Sequence, residues 1–331
     1  MVLGTIAAAA ILAFGLIHVC LPVLRHHALA RPNARSSHVA PTPQGGGIAV
    51  IAATVAVSGL MFLVDGSPDA TFVAVLIATL ALALVGGLDD IRPLGVVSRV
   101  AVQAVCVILV VYEATAHERL LDGYLPLQIE RLILVLAVLW FVNLTNFMDG
   151  IDWMTVAAMV PIAAALVLFG AAGVVEPRVT FAAAALLGAL IGFAPFNRPT
   201  ARLFLGDVGA LPIGLVVAWM LFELARSDGA AAAIILPLYY LSDATITLLR
   251  RLFQGERLWE AHRTHFYQRA TENGLSVLQV SVHVFVLNCV LAGLAAMTLT
   301  WSTPSAQAIM LATSAGLVVA TLVRFSRRRP C

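Results

Sequence analysis

FAAAALLGALIGFAPFNRPTARLFLGDVGALPIGLVVAWMLFELA, residues 181–225, decides the architecture. Two apolar runs flank a short polar turn that carries Asn197, Arg198, Arg202 and Asp207. An α-helix crosses a hydrocarbon core with about 20 mostly apolar residues. The runs on either side of the turn extend over 179–196 and 207–225, close to that length. The turn therefore lies at a membrane boundary, and its flanks are transmembrane helices.

Working outward, the same criterion marks 3–24, 45–64, 69–88, 98–115, 130–147, 153–171, 229–249, 276–297 and 304–323, for about eleven transmembrane helices in all. Composition agrees: 61% of the 331 residues are hydrophobic and 11% charged, with a mean hydropathy of +0.96. Too little polar surface is left to cover a water-soluble globule. The fold class is all-α, a polytopic integral membrane helix bundle. The balance of 20 basic against 18 acidic residues argues against a nucleic-acid partner. Cys20, Cys106 and Cys289 lie in apolar runs and Cys331 ends the chain, so neither a disulfide framework nor a zinc spacing emerges. The first run lacks the basic flank and small-residue cleavage site of a signal peptide, and is expected to remain as an anchor.

Translocated loops are depleted of Lys and Arg, and every basic residue here is Arg. One alternating set of connections holds Arg25, Arg31, Arg35, Arg92, Arg99, Arg198, Arg202, Arg250, Arg251, Arg257, Arg263, Arg269, Arg324, Arg327, Arg328 and Arg329, which is sixteen. The other holds only Arg119, Arg131, Arg178 and Arg226. The expected orientation has the N-terminus outside, the C-terminus cytoplasmic and the multi-pass chain in the plasma (inner) membrane. The unusual polar chemistry then shares the cytoplasmic face.

GGLDDIRPLG puts Asp89 and Asp90 side by side at the end of the third run, where adjacent carboxylates need a cation or a proton to offset their repulsion. NLTNFMDGIDW ends the fifth run with Asn143, Asn146, Asp149 and Asp152. Residues three apart share a helix face, so Asn146, Asp149 and Asp152 are expected to project together. Oxygen ligands of this kind suit Mg²⁺, which takes one or two carboxylates and completes its shell with substrate phosphates. In FNRPTARLFLGDVGA, Asp207 opens the eighth run beside Gly206 and Gly209, as a helix cap or as part of a phosphate site at a helix N-terminus. RRLFQGERLWEAHRTHFYQRA brings His262, Arg263 and His265, suited to a pyrophosphate or to anionic headgroups. RPNARSSHVAPTPQGGGIA supplies Asn33, Arg35, Ser36, Ser37 and His38 in the first inner loop. Asp243 lies inside the ninth run, either as an internal structural acid or as a functional one.

PNARSSHVAPTPQGGG, GGLDDIRPLG, NLTNFMDGID, FNRPTARLFLGD and AHRTHFYQRA stand in an order that resembles the polyprenyl-phosphate N-acetylhexosamine-1-phosphate transferase superfamily, glycosyltransferase family 4, over roughly residues 31–270. The HRTHFYQ form looks most like the bacterial branch that initiates O-antigen and related surface polysaccharides. The resemblance implies a single transmembrane catalytic domain spanning 1–331, with inner loops 25–44, 89–98, 148–152, 197–206 and 250–275 as its active face. It implies transfer of sugar-1-phosphate from a UDP-N-acetylhexosamine to undecaprenyl phosphate with release of UMP, and a Mg²⁺ requirement, with Mn²⁺ as the alternative ion. It matches Asn146 and Asp207 to metal-binding positions, and Asp89 and Asp90 to carboxylates at the lipid phosphate. Asp149 matches an essential carboxylate, Asp152, Asn197 and Phe204 match positions around the uridine, and Arg99, His262, Arg263 and His265 match positions at the pyrophosphate. Asn33, Ser37 and His38 fall in the matching substrate loop. A homodimer stays open.

Two positions depart from the pattern: Ala30 stands where many relatives have Asp, and Trp153 replaces a Gly after the second Asp of DGID. The rival readings are a secondary transporter, a non-catalytic lipid-binding scaffold and the peptidoglycan-type phospho-MurNAc-pentapeptide transferase. A transporter site is expected near the bilayer midplane between related halves, whereas the acids here cluster at inner helix ends and no repeated half is visible.

Overall fold

A computed structural model of the chain describes residues 1–30, 41–66, 69–116, 119–121, 123–257 and 262–328. In chain order they form α1 (Val2–His27), α2 (Gly47–Asp65), α3 (Ala70–Ile91), α4 (Val96–Ala114), α5 (Leu127–Phe147), α6 (Met154–Ala171), α7 (Pro177–Phe193), α8 (Asp207–Leu224), α9 (Ala230–Ile235), α10 (Leu238–Phe253), α11 (Phe266–Glu272), α12 (Val277–Thr300) and α13 (Pro304–Ser326). Two short strands, β1 (Leu29–Ala30) and β2 (Thr42–Pro43), pair antiparallel between α1 and α2.

Among the described residues, nine helical stretches are long and apolar enough to cross a membrane, Asp207–Ile235 counting as one of them. The protein is thus an all-α, polytopic membrane bundle. α7 is apolar but only 17 residues long. The ninth run, expected as one helix over 229–249, is divided. A π-turn at Ala225–Gly229 leads from α8 into α9, which ends before Pro237, and α10 begins at Leu238. Proline carries no N–H and its ring crowds the carbonyl four residues earlier. The break frees α10 to turn a narrow stripe inward: Tyr239, Tyr240, Asp243, Ala244, Thr247 and Arg251 are buried at helical spacing.

α8 is the axis of the bundle. All its residues except Asp207 and Phe222 are buried, and α3, α5 and α2 pack around it. α7 lies between α1, α2 and α6, while α12 packs on α6 and α9. Lipid tails are as apolar as Leu, so close backbone approach by small residues holds such helices together. α7 supplies that surface with buried Ala182, Ala183, Ala184, Ala185, Gly188, Ala189 and Gly192. Helix starts are set locally: Asp69 accepts from Thr71 N at 2.7 Å ahead of α3, and Ser276 with Gln279 forms a reciprocal capping box ahead of α12.

Candidate active site

The site forms where α3 ends against the beginning of α8. A Cβ on Gly86 would collide with the backbone of Asp207 and Val208, so only glycine lets the two helices approach this closely. Gly206 ahead of α8 has φ +79° and faces the carboxyl of Asp90; a side chain there would be strained and would strike that carboxyl. Asp90 Oδ1 accepts from Asp207 N at 3.0 Å and Oδ2 from Val208 N at 3.1 Å. A carboxylate on two free amides at a helix N-terminus satisfies orphan donors and meets the positive end of the dipole. The cap of α8 is therefore Asp90, and Asp207 is the first helical residue. Asp207 is released for other chemistry.

Asp89, the neighbour of Asp90, turns to Arg99. Its Oδ2 lies 2.6 Å from Arg99 Nη1, and its Oδ1 accepts from Leu94 N at 2.6 Å. The same Nη1 is 3.4 Å from Asp207 Oδ2. One guanidinium thus spans two carboxylates.

Loops at this end of the bundle are bonded to this centre or to each other. Gln44 Nε2 donates to Asp90 O at 2.6 Å. Phe204 N donates to Pro43 O at 2.8 Å, Gly46 N to Phe204 O at 2.9 Å and Gly47 N to Leu205 O at 2.8 Å. This ladder fixes the half-exposed Phe204 beside the entry to α2. Asp152 and Asn197 are buried and join the 148–153 turn to the 197–206 loop. Asp152 Oδ2 accepts from Ala201 N at 2.9 Å, while Asn197 accepts from Trp153 N at 2.8 Å and donates to Leu203 O at 3.0 Å. Trp153 adopts φ +62°, a conformation suited to glycine, and its indole N–H donates to Ala194 O at 2.7 Å. The glycine expected after DGID has a conformational reason, and Trp153 is held in the same geometry by two hydrogen bonds.

Asp149 lies in the turn after α5, half-buried, and accepts from the Thr155 hydroxyl. Burial, reinforced by the charges of Asp90 and Asp152 and opposed by Thr155, raises its carboxyl to about 7. Asn146, in the last turn of α5, makes no side-chain hydrogen bond among the described residues and is partly exposed. Asn146, Asp149 and Asp152 do not share one helical face, because α5 ends at Phe147. Asp152 is turned to the neighbouring loop.

The fifth segment arrives through α11. Tyr267 OH donates to Phe147 O at 3.0 Å, beside Asn146, and burial holds its phenol above the usual range. His262 stacks on His265 with ring centroids 5.0 Å apart, and His265 lies 6.4 Å from the Phe147 ring. Arg263 reaches Glu272 at 3.9 Å. Asn33, Ser37 and His38 lie outside the described residues. Sequence reading missed three supports: Thr155 on Asp149, Gln44 on Asp90 and Tyr267 on the end of α5. Gln44, immediately ahead of a glycine triplet, and Tyr267, within HRTHFYQ, stand in segments already singled out.

Among the described residues no three His, Cys, Asp or Glu side chains gather to cage a metal by themselves. The donors fit a hard divalent cation that relies on substrate oxygens, with Asp207 at the edge of Arg99 and Asn146 offering an amide oxygen.

Residues 72–225 match the sequence profile of glycosyl transferase family 4. The chain is similar to the decaprenyl-phosphate N-acetylglucosaminephosphotransferase of Mycobacterium leprae, with 27% identity over 92% of this chain and 85% of that protein. Together these matches support the polyprenyl-phosphate hexosamine-1-phosphate transferase superfamily. The chain is also 27% identical to the Mycobacterium tuberculosis protein of the same description, over 91% of its own length and 83% of the relative. It is 30% identical to the phospho-N-acetylmuramoyl-pentapeptide-transferase of Leuconostoc mesenteroides, over 54% of its length and 61% of that protein. The matched stretch includes Asp89, Asp90, Arg99, Asn146, Asp149, Asp152, Asn197 and Asp207.

Proposed function

We propose that this chain transfers N-acetylhexosamine-1-phosphate from a UDP-amino sugar to undecaprenyl phosphate and releases UMP. The reading places this as the first membrane step of O-antigen or related surface polysaccharide synthesis, with the active face toward the cytoplasm. The observation that carries it is the group of four carboxylates, Asp89, Asp90, Asp149 and Asp207, around the start of α8, with Arg99 bridging two of them. The relatives, a decaprenyl-phosphate N-acetylglucosaminephosphotransferase and a phospho-N-acetylmuramoyl-pentapeptide-transferase, support the same reaction class.

Two anions must meet for this reaction, so charge neutralisation is the main requirement. An oxygen of the lipid phosphate attacks the phosphorus that bears the sugar. The bond from that phosphorus to the oxygen bridging to the uridine-bound phosphate breaks, and UMP leaves with that oxygen. Mg²⁺, or Mn²⁺ in its place, would be held by Asp207 and Asn146 and would supply positive charge to the phosphates. Asp90 keeps the cluster in register by capping α8, and Asp89 is assigned to the acceptor side, where it takes any proton left on the lipid phosphate. Arg99, His262, Arg263 and His265 are the donors for the pyrophosphate. Phe204 offers a ring face to the uracil, while Asp152 and Asn197 shape the uridine pocket through the loops they join.

The test is lipid-product mass spectrometry and UMP release by the purified protein in nanodiscs. The nanodiscs carry undecaprenyl phosphate and are given Mg²⁺ or Mn²⁺ with a panel of UDP-N-acetylhexosamines and UDP-MurNAc-pentapeptide. One amino sugar should yield a polyprenyl-pyrophosphoryl product that EDTA abolishes. Product from the pentapeptide donor alone would move the chain to the peptidoglycan reaction, and no product from any donor in folded protein would defeat the reading.

A further inference from the structure

Asp243 is fully buried in α10, and three of its five hydrogen bonds among the described residues lead to the start of α11. Oδ1 accepts from Phe266 N at 3.0 Å, from His265 Nδ1 at 3.2 Å and from the Thr247 hydroxyl at 3.4 Å. Oδ2 accepts from the Tyr239 hydroxyl and from Tyr267 N, both at 3.1 Å. Two of these donors are free amides at the start of α11, which a neutral cap would satisfy equally well. A carboxylate costs far more to bury than a neutral oxygen, and what it alone adds is a charged acceptor for the imidazole of His265.

A carboxylate oxygen only accepts, so the proton of this bond sits on His265 Nδ1. The ring is also clamped by stacking, with His262 at 5.0 Å on one contact and Tyr267 at 5.7 Å on another. With Nδ1 committed, Nε2 is the one polar ring atom left. No described residue hydrogen-bonds to it, and it is not among the sealed, unpartnered polar atoms of the described residues. His265 is 2% exposed overall, so its ring is fixed in all but this atom. This is how a partner on one ring nitrogen fixes tautomer and direction for the other.

We propose that Asp243 is the positioning residue for His265, holding the ring through Nδ1 and balancing its charge so that Nε2–H donates to the diphosphate of the nucleotide-sugar donor. The proposal rests on the transferase reading above for the identity of that diphosphate. Asp243 touches no substrate and acts only through His265.

The test compares binding of UDP and of uridine to the full-length protein in nanodiscs, for wild type, Asp243→Asn, His265→Gln and the double variant. Asp243→Asn should weaken UDP by about tenfold, the size of one charge-assisted hydrogen bond, and leave uridine unchanged. In the His265→Gln background the same change should have no further effect on UDP, because coupled residues are not additive. Asp243→Glu, which keeps the charge, should recover part of the loss. Equal weakening of UDP and uridine, or a full additional loss in the double variant, would overturn the proposal in favour of a purely structural Asp243. Wild type that binds neither UDP nor uridine would defeat the transferase reading itself, and this proposal with it. If Asp243→Asn does not fold, ¹⁵N spectra of ring-labelled wild type decide. His265, assigned by its loss in His265→Gln, must carry a proton on Nδ1, and a bare Nδ1 would sink the idea.

Discussion

The two ends of the bundle both bury acids, and they treat them differently. At the end where α3 begins and α8 finishes, four acids are paired with three arginines. Glu130 pairs with Arg119 at 2.9 Å and also accepts from Leu120 N and Leu121 N at 2.8 and 3.0 Å. Arg178 bonds Asp69 and Glu176, and Glu223 lies 3.5 Å from Arg178 and 3.0 Å from Arg226. At the opposite end Asp89 and Asp207 share Arg99, Asp90 takes the free amides of α8, and Asp149 accepts from the Thr155 hydroxyl. The first end is closed electrostatically and ties loops to helices. The second is left short of positive charge, and an arrangement short of charge is one that a cation or a ligand completes.

The sharpest way to break this contrast is to remove one carboxylate from each end. Asp207→Asn should abolish transfer, by roughly 10²–10³-fold or more, with thermal unfolding in nanodiscs nearly unchanged. Glu130→Gln should do the reverse: a loss of roughly 1–3 kcal/mol of stability as the hydrogen bonds of a buried carboxylate are weakened, read as a lower unfolding midpoint, with turnover per folded molecule retained. If Glu130→Gln silenced the enzyme while leaving stability alone, the division of labour between the ends would be wrong.

Acidity sharpens it further. The Asp149 carboxyl, ordinarily near 3.8, is held at about 7 in the folded chain. The folded state therefore binds this proton more tightly than the unfolded state. Its contribution is present at acidic pH and is lost as pH rises from about 4 through about 7. In EDTA the unfolding midpoint should fall across that window, and Asp149→Asn should flatten the fall.

Smaller effects concern the joints. Asp90→Ala removes the cap of α8 and should cost about 1 kcal/mol, measurable by denaturation, beyond any loss of activity. Trp153→Gly relieves a left-handed residue and gives up one indole hydrogen bond, so the net change should stay within about 1 kcal/mol. A changed preference across the UDP-amino-sugar panel would then report on the pocket rather than on folding.

The membrane bundle was legible because apolar runs of spanning length need no partner to declare themselves. The division of the ninth run was written in Pro237, yet a hydropathy average over 229–249 conceals it. The acids of the site were legible as residue types at helix ends, but their bonding was not. Asp90 rather than Asp207 caps α8 because α3 meets α8 across Gly86, a contact between segments far apart in sequence. The same holds for Asp152 and Asn197, whose polar groups are engaged by the facing loop, and for Asp243, whose purpose appears only once α10 and α11 are packed together.

The cap on α8 also governs when the site comes into being. Asp90 is separated from the amides it satisfies by 117 positions along the chain. During synthesis α3 enters the bilayer long before Asp207 and Val208 exist, so a nascent protein has the acidic pair but no register for it. The acidic end is therefore completed late, after four further helices have been made, and a chain arrested before Asp207 is left without that cluster.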